Sequence, residues 1–389
     1  MAGNAAKNAP NLRATSTAYI NNNVYAIVNA VNSQANGLSP VTVLDTASFI
    51  DFGKSVLSSN DATETFTQTL LLMMAATYTT WRPYESSLRD LMVSGEELGA
   101  IYQKIDAEVP EFTSDESFEL VDGQSVDQYV VRKPTAKQKL FVKRATYSNY
   151  VTIVKKQLQG AFRSEAEFAK WSQMIFGKMR IKLDFAAENM ARLAIASYIA
   201  NCGTTQIRHL LTEYNTESGR SLTQAESLLD EKYLAFVAGE MELYSKRLRN
   251  LSTSYNTEGA ERHTPRGEQK FLIYDKLQSR LQTVVQFNAY HKELVELKEF
   301  IEVPYWQGEQ DRTTIKVTVD DGQGGTEQKV VENVLGFIFD RYALGTFRYD
   351  EDMQSSPINA RGRFINVVYF SEQLWYNDLS ENGVCFCND

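Results

Sequence analysis

Three histidines, three cysteines and one run of adjacent acids are the residues of this chain best equipped for chemistry. Cys385 and Cys387 stand two apart, which in a strand places both thiols on one face; two thiols fall short of a tetrahedral metal site. Burial as small hydrophobes is the expectation for them. His209, His263 and His291 have no second histidine or carboxylate at the spacing of a zinc motif. Asp350-Glu351-Asp352 reads as a compact acidic turn that could hold a cation or act as a general acid, and any enzyme hidden here would have to run on it. It lacks the spacing of a calcium loop, so a solvated turn, or a salt-bridge partner for Arg361 and Arg363, is expected. The glycines of DGQGG, residues 321–325, could cradle phosphate. A phosphate loop, however, needs Lys followed by Ser or Thr at the start of a helix, and EQKVVENV alternates like a strand. A hairpin turn is expected instead. With no G-x-S-x-G and no Cys/His nucleophile pair, the sequence points to no catalytic, cofactor or metal site.

Whole-chain properties narrow the class further. A chain of 389 residues exceeds what one core usually serves, so two or more lobes are expected. The formal net charge of −9 argues against coating nucleic acid or anionic membrane by bulk electrostatics, although local basic patches remain open. The odd cysteine Cys202 beside Cys385 and Cys387 argues against a disulfide scaffold and for a reducing cytoplasmic origin. The first residues show no secretory signal. The apolar cluster LLLMM, Leu70 to Met74, is far shorter than the roughly 20 residues of a membrane span.

The elements that would position any site are legible in the spacing of apolar residues. Residues 164–203 hold no proline, open on a capping pair Ser164 and Glu167, and reach a stop at Gly203. Between these ends Phe168, Trp171, Ile175, Met179, Leu183, Ala186, Met190, Leu193 and Ser197 recur at steps of three or four, one apolar stripe down a helix roughly 50 Å long. Upstream, the first 40 or so residues are rich in Asn, Ala and Ser. Ile20, Val24, Ile27, Val28 and Val31 could form a short amphipathic helix in what reads as a mobile arm or a frayed end. Helices are expected around 46–58 and 62–79, before Trp81-Arg82-Pro83 breaks the pattern.

The sharpest charge pattern follows. Residues 106–127 carry Asp106, Glu108, Glu111, Asp115, Glu116, Glu119, Asp122 and Asp127 with no Lys or Arg, whereas 132–156 carry Arg132, Lys133, Lys137, Lys139, Lys143, Arg144, Lys155 and Lys156 with no acid. Asp122-Gly123 signals a turn, and the flanks alternate like strands, so a β-structured excursion leads into the long helix. Three readings stay open for it: a solvated hairpin that pairs its charges within one chain, a charge-complementary surface docking on a neighbouring copy, or a basic strand for nucleic acid. Residues 205–300 read as a mixed lobe, 313–334 as a hairpin, and the remainder as strands rich in Phe, Tyr and Val.

In combination, FGKSVLS (52–58), RPY (82–84), FELVDGQSVDQYVVRKP (118–134), LLTEYNTESGRSLT (210–223), RHTPRGEQK (262–270), SPINARGRFIN (356–366) and WYNDLSENGV (375–384) resemble the major capsid proteins of tailed bacteriophages, and more closely those of short-tailed, podovirus-like phages. The resemblance implies the α+β Hong Kong 97 fold: an N-terminal arm (1–45), a helical segment of the peripheral domain (46–83), an extended β-hairpin loop (84–158), the spine helix (159–204), an axial domain (205–330) and closing strands of the peripheral domain (331–389). It implies a non-enzymatic protein without cofactors that self-assembles as pentamers and hexamers into an icosahedral head around double-stranded DNA. Portal, scaffold and possible decoration or auxiliary proteins would be its partners, with no membrane, and its place would be the virion capsid, assembled in the bacterial host cytoplasm. An encapsulin-like compartment shell is the alternative on the same fold. The extended loop would reach over an adjacent subunit, which makes Asp122, Asp127, Arg132, Lys133, Lys137, Lys139, Lys143 and Arg144 the candidate inter-subunit residues. The spine-helix core would be Phe168, Trp171, Ile175, Met179, Leu183, Met190 and Leu193.

Overall fold

The structure is a computed structural model that describes residues 17–35, 38–76, 88, 102–108, 119, 121–123, 125, 129, 131, 133–141, 144–287, 300–320 and 325–389. Helices α1 (Thr17–Gln34), α2 (Thr46–Leu57) and α3 (Asn60–Ala76) are followed by strands β1 (Tyr102–Glu108), β2 (Thr135–Phe141) and β3 (Arg144–Val154). A short α4 (Lys155–Ala161) leads into α5 (Glu165–Ser172), a π turn (Gln173–Gly177) and α6 (Lys178–Ala200). Then come β4 (Ile207–His209), α7 (Leu210–Ser218), α8 (Gln224–Ser227), α9 (Glu231–Arg247), β5 (Gln269–Tyr274), α10 (Asp275–Phe287) and β6 (Phe300–Val303). Strands β7 (Ile315–Asp320), β8 (Thr326–Val331), β9 (Val334–Asp340), β10 (Leu344–Ser355), β11 (Phe364–Asn377) and β12 (Gly383–Cys387) close the chain. The Trp81-Arg82-Pro83 break and His291 lie outside the described residues.

A first core gathers the α1–α3 segment around the start of the long helix. Val24, Val28 and Val31 of α1 are buried with Phe49, Phe52, Phe66, Phe162, Phe168 and Trp171. Over this span the leader is therefore part of the folded body and not a free arm. Its period of three to four apolar residues meets a matching face, and Asn29 pins the return of the chain by bonding both the N–H and the C=O of Val43 at 2.8 Å. Asp45 caps α2 through a reciprocal box with Ser48. Gly53 is required on packing grounds, because a Cβ there would lie 2.8 Å from the Phe162 side chain.

The expected long helix runs as α5, π turn and α6, with the Glu167 N–H bonding the Ser164 hydroxyl at 3.3 Å at its start. Phe168, Trp171, Ile175 and Met179 are buried in the first core and Leu183 packs at its edge. Beyond that point the expected stripe is displaced. Leu193 is 37% exposed and Ala186 is exposed, while Ala187, Ala191, Ala194, Ile195 and Tyr198 are buried. Met190 is half-buried, its Sδ accepting the Tyr147 hydroxyl at 3.2 Å. The cause is physical: a π turn carries an extra residue and rotates the following face, and α6 leaves the first core for a second one. A single 3.6-residue period drawn through both halves cannot serve two cores on different sides.

The second core lies under a five-stranded sheet ordered β4-β12-β9-β5-β6. Alternation divides its strands cleanly. Phe337, Phe339, Cys385 and Cys387 join Ile195, Tyr198 and Trp306 on one face; Ile338, Val384 and Phe386 meet α7, α9 and α10 on the other. Cys385 and Cys387 are free thiols on the same face, sulfurs 3.9 Å apart. The β7–β8 hairpin, with Asp320 opposite Thr326, covers α6, so a strand and not a helix follows DGQGG.

A three-stranded antiparallel sheet, β10-β11-β3, completes the body and corrects two expectations. The closing strands do not form one unit, because β9 and β12 belong to the five-stranded sheet while β10 and β11 pair with β3, which the sequence reading had placed inside the excursion. Asp350, Glu351 and Asp352 are not a turn either. They pair in register with Glu372, Ser371 and Phe370 within β10, and a pleated strand sends neighbouring side chains to opposite faces.

Two substitutions one turn apart separate the observed face from the expected one. Leu193→Lys is expected to change stability by less than about 0.5 kcal/mol, whereas Ile195→Ala should cost about 2–5 kcal/mol. Urea melts of the two variants measure this, and equal losses would contradict the displaced face.

Candidate functional site: the anchor of the charged hairpin

Strands β1 and β2 pair with Lys104 directly opposite Lys139 and Asp106 opposite Lys137. Two lysines facing each other across a ladder repel unless a carboxylate stands between them. That carboxylate is Asp378, buried in the turn after β11: Lys104 Nζ donates to Oδ2 at 2.6 Å and Lys139 Nζ donates to Oδ1 at 2.7 Å. Lys104 also bonds Glu381, and Lys139 bonds Glu258 Oε1 at 2.5 Å. Arg262 links Asp106 of the hairpin to Glu381 of the body. The Phe141 ring packs 5.1 Å from that of Tyr376, adding an apolar contact at the same junction.

Local sequence explains why Asp378 is fixed. The N–H and hydroxyl of Ser380, two residues on, donate to Oδ1 at 3.0 and 2.7 Å, an Asx-type turn, and the Asp378 N–H bonds the Ala343 carbonyl at 2.6 Å. The Tyr198 hydroxyl donates to the Glu381 carbonyl at 2.7 Å, tying this turn to the end of α6. Gly383 must be glycine, since a Cβ would sit 2.7 Å from the Tyr198 ring. Behind the turn, Thr264 donates to Asp340 at 2.8 Å and accepts from Asn382 at 3.3 Å.

The electrostatics follow from burial and pairing. Burial alone would raise the Asp378 carboxyl, but hydrogen bonds from Lys104, Lys139 and Ser380 outweigh it and hold the group well below the usual carboxylate range. Burial would lower Lys104; its bonds to Asp378 and Glu381 reverse this and raise it. The Arg262 hydrogen bond holds Asp106 down. The network thus stays ionised through neutral pH, and its chemistry is mechanical: it fastens a hairpin to a rigid turn. Among the described residues, no group of His, Cys, Asp and Glu is arranged to hold a metal ion.

The candidate residues read from the sequence are distributed unevenly. Asp122 lies exposed in a turn with Gly123 at φ +83°, as Asp-Gly requires, and Lys133 is exposed. Lys137 lines a small pocket between hairpin and body with Lys104, Asp106, Lys139 and Arg262. Arg144 opens β3 opposite Leu374. Asp127, Arg132 and Lys143 lie outside the described residues. Lys139 requires a correction, because both carboxylates it meets belong to its own chain, so it anchors the hairpin in cis and is not a free docking charge. Sequence reading missed Asp378, Glu381, Arg262 and Glu258. The turn pattern Asp-x-Ser within WYNDLSENGV was the available signal. The other hairpin face presents Ile105 and Leu140, both exposed.

Removing the shared carboxylate by Asp378→Ala leaves two lysines facing each other, at an expected cost of about 3–5 kcal/mol. The pH dependence has a definite sign. Because Asp378 and Asp106 are lowered in the folded state, their contribution is full above the ordinary carboxylate value near ~4 and is lost as pH falls below it. Because Lys104 is raised, its contribution holds below the ordinary lysine value near ~10.4 and is lost as pH climbs through its folded value. Hydrogen exchange of β1 and β2 should therefore stay slow between these limits and accelerate below pH ~4, sooner in Asp378→Asn.

With this geometry in view, comparison with known proteins is specific. A family model described as Phi29-like phage major capsid protein matches residues 24–387. No curated protein sequence matches the chain. Among solved structures, the chain is similar to the capsid structure of Staphylococcus phage Andhra, with 11% identity over 80% of this chain and 87% of that one and a TM-score of 0.52. It is likewise similar to a chain in the structure of the head fiber and inner core protein gp22 of native bacteriophage P68, with 12% identity over 80% and 87% of the two chains and a TM-score of 0.53. The architecture is the α+β Hong Kong 97-type capsid fold. Spanning the leader helix, the hairpin anchor and both cores, the match shows that the chain belongs to the family of Phi29-like phage major capsid proteins.

Proposed function

We propose that many copies of this major capsid protein assemble as pentamers and hexamers into the icosahedral head of a short-tailed phage, around double-stranded DNA. The observation that carries the reading is the family match over residues 24–387, which takes in nearly the whole described body. The role is passive and without turnover. The lobe of the five-stranded sheet meets its copies around the five-fold and six-fold axes. The long helix, the first core and the three-stranded sheet form the peripheral body that extends along the shell. The segment beyond the hairpin base, between Glu108 and Thr135, reaches over an adjacent subunit, and the exposed Ile105 and Leu140 face supports an apolar contact there. Portal and scaffold proteins act in assembly within the host cytoplasm. A net charge of −9 fits a container into which DNA is driven by a motor better than a surface that condenses it.

Co-expression of the chain with the head-assembly proteins of its genome, imaged by cryo-electron microscopy, should give closed icosahedral particles of uniform diameter. Discrete small oligomers under every assembly condition would overturn the reading.

A further inference from the structure

Where β11 begins, four cations meet. The turn after β10 is drawn tight by Asn359, whose Oδ1 accepts the N–H groups of Arg361 at 3.1 Å and Gly362 at 2.7 Å, while the Arg363 N–H bonds the Asn359 carbonyl at 2.7 Å. Arg363 is held at φ +51°, a left-handed conformation that a side chain of this size adopts only under constraint. The Lys155 N–H donates to the Arg363 carbonyl at 2.9 Å, so the start of α4 joins the turn, and Lys155 and Arg363 line one cleft. Lys155 is half-buried, while Lys156, Arg361 and Arg363 are exposed. None of the four forms an ion pair with a described residue; the Lys155 ammonium bonds only the neutral Asn60 side chain, at 3.0 Å. In a chain of net charge −9, a rigid unpaired corner of two arginines and two lysines calls for an anionic partner.

Each copy carries that partner. Residues 106–127 hold eight carboxylates and no cation. The lysines of the following block that seemed suited to them are partly committed, since Lys139 is taken by Asp378 and Glu258 of its own body. Glu119 and Asp122 are exposed and make no ion pair with a described residue. Geometry favours pairing between copies over pairing within one. The hairpin anchor sits at the Asn377 end of β11 and the corner at the Phe364 end, 14 residues away. At about 3.3 Å per residue the two are roughly 45 Å apart.

We propose that the acidic segment bearing Glu119 and Asp122 docks on the corner of Lys155, Lys156, Arg361 and Arg363 of a second copy. This rests on the shell reading above and adds to it the surface and its counterpart. Every subunit supplies one corner and one acidic segment, so the contact balances charge throughout a closed shell of like-charged copies.

The test is a charge swap in the full-length chain, scored by yield of empty shells and by DNA content of filled heads. Arg361→Glu with Arg363→Glu should lower shell yield at least about tenfold at low salt with unchanged subunit melting, and adding Glu119→Lys with Asp122→Lys should restore most of it. Shells formed as well as wild type by the arginine double variant would overturn the proposal. So would normal empty shells with reduced DNA retention, which would assign the corner to phosphates, or failure of the four-residue swap to restore yield. If the unaltered chain itself gives no shells, the shell reading fails first and this contact falls with it.

Discussion

A buried carboxylate flanked by two lysines sets the frame for this molecule. Asp378 is almost wholly shielded from water, yet it bonds Lys104 and Lys139 from adjacent strands and both polar groups of Ser380. Taking an isolated charge from water into such a place is prohibitive, so the position exists only while the hairpin lies against it. The reverse holds as well. A two-stranded hairpin is marginal by itself, and its facing lysines would drive it apart without the carboxylate. Body and hairpin therefore order each other. The turn that carries Asp378 is in turn held by Tyr198 at the end of the long helix, which connects the anchor to the body's main axis.

The long helix performs the complementary task of joining two cores. Its first half is buried among the phenylalanines of α2 and α3, and its second half lies under the five-stranded sheet. The π turn at Gln173–Gly177 lets one continuous helix offer different faces to the two. Deep within the second half, Glu188 and Arg192 form a buried i,i+4 pair, and Arg192 also stacks 4.1 Å over Tyr305 and bonds its carbonyl. A pair of this kind adds little net stability but penalises any other packing of α6, consistent with a strut of fixed orientation.

How far the sequence reveals this structure depends on the range of the interactions involved. Local signals are legible: the capped helices, the Asp122-Gly123 turn, the β7–β8 hairpin and the paired cysteines all rest on contacts within a few residues. Features set by distant partners are not. Asp350 to Asp352 look like a turn because three adjacent acids are rare in strands, yet pairing with β11 overrides that preference. Leu193 looks buried because periodicity cannot show a helix changing cores. Lys139 looks free for a neighbour because its partners Glu258 and Asp378 lie more than a hundred residues away in sequence. The segments RHTPRGEQK and WYNDLSENGV signalled a resemblance before their chemistry was legible. In the fold they touch, through Arg262 with Glu381 and Thr264 with Asn382.

The claim on which the rest turns is that each hairpin is fastened to its own body at Asp378 while the segment beyond it extends to another copy. A cryo-electron microscopy map of the assembled shell, at a resolution that traces the chain from β1 to β3, tests this most directly. The account predicts Lys104 and Lys139 against Asp378 of the same chain, in every symmetry environment of the shell. Lysines seated on Asp378 of a neighbouring subunit would contradict it.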